Sequence, residues 1–138
     1  MPYAGDLSPR EAWELLEQEH DAVLVDVRTR AEWSYVGIPE LADLGRHALL
    51  IEWTTFPEGR RNPDFVAQLE EAGALPEAPV IFLCRSGQRS IGAAEAATAA
   101  GFGRAYNVLE GFEGPLDGER HRGAAAGWKA AGLPWRQS

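Results

Sequence analysis

The stretch Val80-Ile81-Phe82-Leu83-Cys84-Arg85-Ser86-Gly87-Gln88-Arg89-Ser90 decides the fold. Its first four residues are an apolar, β-favouring run of the kind that forms a strand buried on both faces. The polar run that follows cannot continue a core strand. From Arg89 or Ser90 to Ala100 the chain is rich in alanine, the strongest helix former, and Gly101 suits a left-handed C-cap. The unit therefore reads strand, loop, helix, with the chain's only cysteine at the turn.

Upstream, the same alternation recurs. Ser8-Pro9-Arg10-Glu11 combines an N-cap serine, a proline at the first helical position and a glutamate placed to close a capping box. In the helix that follows, Ala12, Leu15 and Leu16 form an apolar stripe, with Glu14, Glu17 and Glu19 largely on the other side. Val23-Leu24-Val25-Asp26-Val27 reads as a buried strand. Thr29-Arg30-Ala31-Glu32 repeats the capping-box pattern and starts a short helix that Gly37 and Pro39 stop.

Ala48-Leu49-Leu50-Ile51 predicts another strand, and residues 56–61 a loop. Asn62-Pro63 predicts the cap of a helix bearing Phe65, Val66 and Leu69 and ending near Gly73, and Ala105-Tyr106-Asn107-Val108 a final strand. Strands alternating with helices predict a three-layer α/β/α domain with a largely parallel central sheet. One domain is expected for 138 residues, its core at about 8–112 and its tail, 113–138, packed on it through Trp128 and Trp135.

Composition removes several function classes. A net charge of −8 argues against a nucleic-acid partner, whose phosphates demand clustered Lys and Arg. No apolar run reaches membrane-spanning length, and the first residues lack the basic start and apolar stretch of a secretory signal, so a cytoplasmic location is expected. His20, His47 and His121 have no metal-ligand spacing, so neither a metal nor another cofactor is expected. A single cysteine leaves no resolving thiol in the chain.

Cys84 lies where sites form in open α/β sheets, beyond the carboxyl end of a strand. The loop glycine Gly87 lets successive N–H groups turn inward as an anion-binding nest, and the helix N-terminus with Arg85 and Arg89 should favour the nucleophilic thiolate. A buried cysteine that merely finishes a strand would not be followed by six polar or glycine residues. Asp26 has two readings: it orients a loop arginine, or it caps the turn at Arg28. Arg28 in turn either lines the site or pairs on the surface with Glu32 or Glu11. The five tryptophans read as packing residues, with Trp53 and Trp128 as those nearest a possible site border.

In these segments the chain resembles the rhodanese family, whose domains carry Cys-x-x-Gly-x-Arg ahead of a helix, matched here by Cys84, Gly87 and Arg89. Leu24-Val25-Asp26-Val27-Arg28-Thr29-Arg30-Ala31-Glu32-Trp33 is similar to the family's other signature, an Asp-Val-Arg followed by an acidic-aromatic helix. The usual Gly-His-Ile-Pro is replaced by Gly37-Ile38-Pro39. The resemblance runs from about Ser8 to about Phe112.

It implies a sulfurtransferase whose Cys84 accepts a sulfane sulfur from thiosulfate or a persulfide donor and passes it to cyanide or a thiol, possessed by a small molecule or a thioredoxin-like protein. The N–H groups of Ser86, Gly87, Gln88, Arg89 and Ser90 would stabilise the persulfide, and Arg85, with Arg89, would receive the donor's oxygens. Two other readings remain. One is a non-catalytic rhodanese-like binding module. The other is a cysteine phosphatase or arsenate reductase, against which the loop counts: such phosphatases resemble this fold but place five residues between cysteine and arginine, where this chain has four.

Overall fold

In the computed structural model, which describes residues 3–54, 60–85, 89–109, 111–112, 128 and 131–136, five parallel strands form the central sheet. They are β1 (Gly5–Leu7), β2 (Val23–Asp26), β4 (Leu49–Leu50), β5 (Val80–Leu83) and β6 (Ala105–Val108), in the order β1-β6-β5-β2-β4. A separate antiparallel pair joins β3 (Ile38–Pro39) to β7 (Trp135–Arg136).

The helices are α1 (Pro9–Gln18), α2 (Arg30–Val36), α3 (Phe65–Glu71) and α4 (Arg89–Ala99), with a 3-10 turn at Ala42–Leu44. Both capping boxes form: Ser8 closes on Glu11 at the start of α1, and Thr29 on Glu32 at the start of α2. Each satisfies backbone N–H groups that the first helical turn would leave unpaired. Helix α1 lacks a basic residue in its last turn, and Arg46 serves there from a distance, donating to the carbonyls of Leu16 and Ala22.

Alternation along the strands builds two cores. Val25, Val80 and Phe82 face one side, where they meet Phe65 and Leu69 of α3 and Ala93, Ala94 and Ala97 of α4. Leu24, Ile81 and Leu83 face the other, against Ala12, Trp13 and Leu16 of α1, with Phe112 and Trp128. A strand covered on both faces must be apolar throughout, which is why β5 reads as an unbroken hydrophobic run. Trp128 is fully buried, stacks edge-on against Trp13 and donates its indole N–H to the carbonyl of Pro134.

Several boundaries differ from the sequence expectation. Strand β4 is two residues long, and Ile51 instead donates its N–H to the carbonyl of Asp26. Helix α3 starts at Phe65, because Asn62 and Asp64 form a turn of their own in which Asn62 Oδ1 accepts the N–H of Asp64. Gly73 and Gly101 do take positive φ, 99° and 105°, just beyond α3 and α4. Strands β1, β3 and β7 were not anticipated. No helix among the described residues is long and apolar enough to cross a membrane.

Candidate active site

The strand order reverses between β2 and β5: after β2 the chain moves outward to β4, and after β5 it moves the opposite way, to β6. Such a reversal leaves a crevice beyond the carboxyl ends of the two strands. Asp26 ends β2 there with Arg28 and Thr29 just beyond it, and Cys84 and Arg85 follow β5. Both segments picked out from the sequence are thus brought to one edge of the sheet.

Cys84 is 1% exposed, and its carbonyl accepts the N–H of Phe112 at 2.8 Å. Its Sγ lies 3.2 Å from Oγ of Ser90, in the first turn of α4, so the sulfur rests in the positive end of that helix. Arg85 is exposed. Ser86, Gly87 and Gln88 lie outside the described residues, so the expected N–H nest has no structural account.

Arg89 reaches across the crevice to Glu32 of α2 in a two-point ion pair, Nη1 to Oε1 at 2.7 Å and Nη2 to Oε2 at 2.8 Å. Burial on its own would raise the Glu32 carboxyl. The hydrogen bond from Arg89, the backbone N–H of Thr29 and the charges of Arg89 and Arg28 outweigh it and hold the carboxyl below its ordinary value. Arg89 is raised by its hydrogen bond to Glu32 against the opposing effect of burial, and the charges of Glu32, Cys84 and Asp26 add to the rise. The sulfur and the guanidinium are therefore electrostatic neighbours, while both arms of that guanidinium are committed to Glu32. Sequence reading missed this partner.

A carboxyl held low contributes stability that is complete above its unfolded range and disappears as pH falls through the folded value. Glu32→Gln should therefore lose about 1–3 kcal/mol of unfolding free energy near neutral pH, the usual worth of hydrogen bonds to a charged group. The gap between variant and parent should close below about pH 4. Urea unfolding at neutral and acid pH checks this, and a gap that stayed constant into acid would contradict it.

Asp26 and Arg28 pair with each other, which is not the surface pairing expected for the arginine. Arg28 is not a surface residue paired with Glu32 or Glu11; it is fully buried. Its backbone N–H and Nε donate to Asp26 Oδ1 at 3.1 and 2.9 Å, and its Nη2 to Asp26 Oδ2 at 2.7 Å and to the carbonyl of Gly37 at 2.6 Å. The guanidinium also lies 4.2 Å from the ring centre of Phe112. Of the two readings of Asp26, the turn at Arg28 is the one observed. A buried guanidinium needs a carboxylate and further acceptors; Asp26 and the Gly37 carbonyl meet Nε and Nη2 at the base of the crevice, while Nη1 has no hydrogen-bond partner among the described residues.

Gly111 bolts the next segment to the cysteine. Its φ is +60°, and a Cβ there would come within 2.6 Å of the Arg85 carbonyl carbon and 2.7 Å of its oxygen, and closer still to the carbonyl oxygen of Cys84. The carbonyl of Gly111 accepts the N–H of Trp128, and Phe112 meets Trp135 edge-on. Trp128 is therefore linked to the site through the backbone rather than as a lining side chain. Trp53 packs edge-on against Phe65 and under Gly92 of α4. No cluster of three potential metal ligands occurs among the described residues, and His20 and His47 are exposed.

The chain is similar to several known proteins in sequence and fold. The family model described as the STR4 middle domain matches residues 4–138. The crystal structure of Rv0390 from M. tuberculosis superposes with a TM-score of 0.90 at 59% identity, covering 99% of both chains. An uncharacterized protein of Rickettsia conorii, RC0915, is 38% identical over 91% of this chain and 92% of its own. A protein named thiosulfate sulfurtransferase GlpE, from Actinobacillus pleuropneumoniae, is 29% identical over 94% of this chain and 90% of its own.

Proposed function

The chain belongs to the rhodanese-like family, and on that premise we propose that it is a sulfurtransferase carrying a sulfane sulfur on Cys84 as a persulfide. The observation that supports this most is the seat of the sulfur: Sγ lies beyond the central strand, against the first turn of α4 and beside the locked Arg89. A cysteine in a positive, helix-terminal setting is held ready as a nucleophile.

In the first half-reaction the Cys84 thiolate attacks the outer sulfur of thiosulfate. The donor's S–S bond breaks, its electron pair leaves with sulfite, and the transferred sulfur becomes the end of a persulfide. An acceptor nucleophile, cyanide or a thiol, then attacks that outer sulfur, and the electron pair of the second S–S bond returns to Sγ. Arg85, exposed beside the cysteine, is the group that would meet the donor's anionic oxygens. Arg89, tied to Glu32, would hold the far end of the loop and contribute positive field rather than a free donor pair. Backbone N–H groups of Ser86 to Ser90 would complete the stabilisation of the persulfide. A persulfide in place of thiosulfate, and a thioredoxin-like protein as acceptor, fit the same two steps.

With one cysteine in the chain, the sulfur has no second thiol to move to. It must wait for an outside nucleophile, so the kinetics should be ping-pong. With thiosulfate as donor and cyanide as acceptor, double-reciprocal plots at several acceptor concentrations should give parallel lines. Intersecting lines would mean that donor and acceptor react in one complex, and the free persulfide would not lie on the main route.

A further inference from the structure

Asn107 is 1% exposed on the sheet face that carries Phe82, its register partner in β5, and Asp6, its register partner in β1. A buried amide on a largely apolar face needs hydrogen-bond partners, and it has two. Its Nδ2 donates to Oδ1 of Asp6 at 3.0 Å, and its Oδ1 meets the hydroxyl of Ser90. The Asp6 carboxylate, which also accepts the hydroxyl of Tyr3 at 2.9 Å, can only accept while ionised, so it fixes which way the amide points. Oδ1, the acceptor end, is therefore turned to Ser90. The same hydroxyl lies 3.2 Å from Sγ of Cys84.

A serine hydroxyl has one proton, and here two acceptors face it. We infer that Asn107, oriented by Asp6, is a positioning residue that competes with Cys84 for the Ser90 hydroxyl proton and so governs how well the free thiolate is stabilised. The inference rests on reading Cys84 as the nucleophile. While Cys84 is a thiol, its S–H donates to Ser90 Oγ and Ser90 donates to Asn107, leaving every group satisfied. In the persulfide, Sγ carries neither proton nor charge, and Ser90 again donates to Asn107. When an acceptor attacks the outer sulfur and the S–S electron pair returns to Sγ, the hydroxyl must turn from Asn107 to the new thiolate. Asn107 restrains that turn, making the thiolate a worse leaving group and a less populated resting form than Ser90 alone would allow.

Other charged groups share this environment: Arg85 next in the chain, Arg89 on α4 with Glu32 on α2, the Asp26–Arg28 pair at the end of β2, and Asp6 on β1. Among the described residues the hydroxyl's hydrogen bonds are to Cys84 and Asn107, so a test that isolates Ser90 separates the effects of these groups from that of Asn107. Alkylation of Cys84 by iodoacetamide reads the thiolate directly, because the chain has no other thiol.

Asn107→Ala should raise the alkylation rate at about pH 6.5 roughly tenfold and move the midpoint of the pH profile downward, the scale set by one hydrogen bond to a charged group. Asp6→Ala, an exposed change that frees the amide to rotate, should act in the same direction by less. Ser90→Ala should slow alkylation, and in that background Asn107→Ala should have no further effect. An unchanged or slower rate in Asn107→Ala overturns the inference, as does an acceleration that persists without the Ser90 hydroxyl. If Asn107→Ala fails to fold, an unchanged profile in Asp6→Ala overturns it equally. Alkylation needs no sulfur donor. A chain that alkylates as expected but never takes up sulfur defeats only the sulfurtransferase reading, whereas one that takes up sulfur with unmoved profiles defeats only this inference.

Discussion

Cys84→Ser should abolish sulfur transfer while leaving the protein folded. Serine is close to cysteine in size, and at this 1% exposed position its hydroxyl finds the Ser90 hydroxyl within reach, so the cost to stability should stay near about 1 kcal/mol. The chemistry does not survive the change. A hydroxyl without a partnering base is a poor nucleophile, and the groups assembled here stabilise an anion instead of accepting a proton. Steady-state transfer from thiosulfate to cyanide, with thermal unfolding as a control, checks both halves. Substantial remaining activity would exclude a covalent route, since no other thiol exists to replace Cys84.

Gly111→Ala should have the largest effect of any change outside the loop. The left-handed φ of +60° costs a non-glycine residue about 1–3 kcal/mol. The new methyl group would also enter the carbonyls of Cys84 and Arg85, which are backbone atoms and cannot rotate away. Overpacking of this kind adds about 1–3 kcal/mol, for a total of about 2–6 kcal/mol. Because Phe112 N–H holds the Cys84 carbonyl and the Gly111 carbonyl holds Trp128 N–H, relief of the clash must move the cysteine, the tail contact or both. The expected result is a lower urea midpoint together with loss of transfer activity. A variant with unchanged stability and full activity would show that Gly111 does not clamp the site.

The features legible in the sequence are those written in local chemistry. The two capping boxes and the unbroken apolar run of β5 each carry their signal within a few residues, and each appears where it was expected. Strand β1 escaped because Gly5-Asp6-Leu7 has no apolar pattern of its own. Its strand character comes from pairing with β6, Gly5 opposite Tyr106 and Leu7 opposite Val108. The β3–β7 pair is the same case, joining Ile38 to Arg136.

Side-chain partnerships were less legible still. Glu32 could be read as the closing residue of a capping box, and it is one, but its second carboxylate partner, Arg89, lies 57 residues on and was invisible locally. Arg28 has two readings in the sequence, lining the site or pairing on the surface, because a lone arginine does not show its partner. Only the folded structure puts Asp26, the Gly37 carbonyl and the Phe112 ring around one guanidinium. The Asn107 amide gave no warning, since an asparagine in a strand carries no signal of the hydroxyl it will meet. The available hint was that a polar residue stood in an otherwise apolar run, Ala105-Tyr106-Asn107-Val108.

The central claim, that Cys84 carries the sulfur, is tested most directly by the intact mass of the protein after exposure to thiosulfate and removal of excess donor. The account predicts a gain of one sulfur atom on the parent chain, reversed by cyanide or by a thiol reductant, and no gain on Cys84→Ser. A parent chain that takes up no sulfur, or a serine variant that takes up as much as the parent, would contradict it.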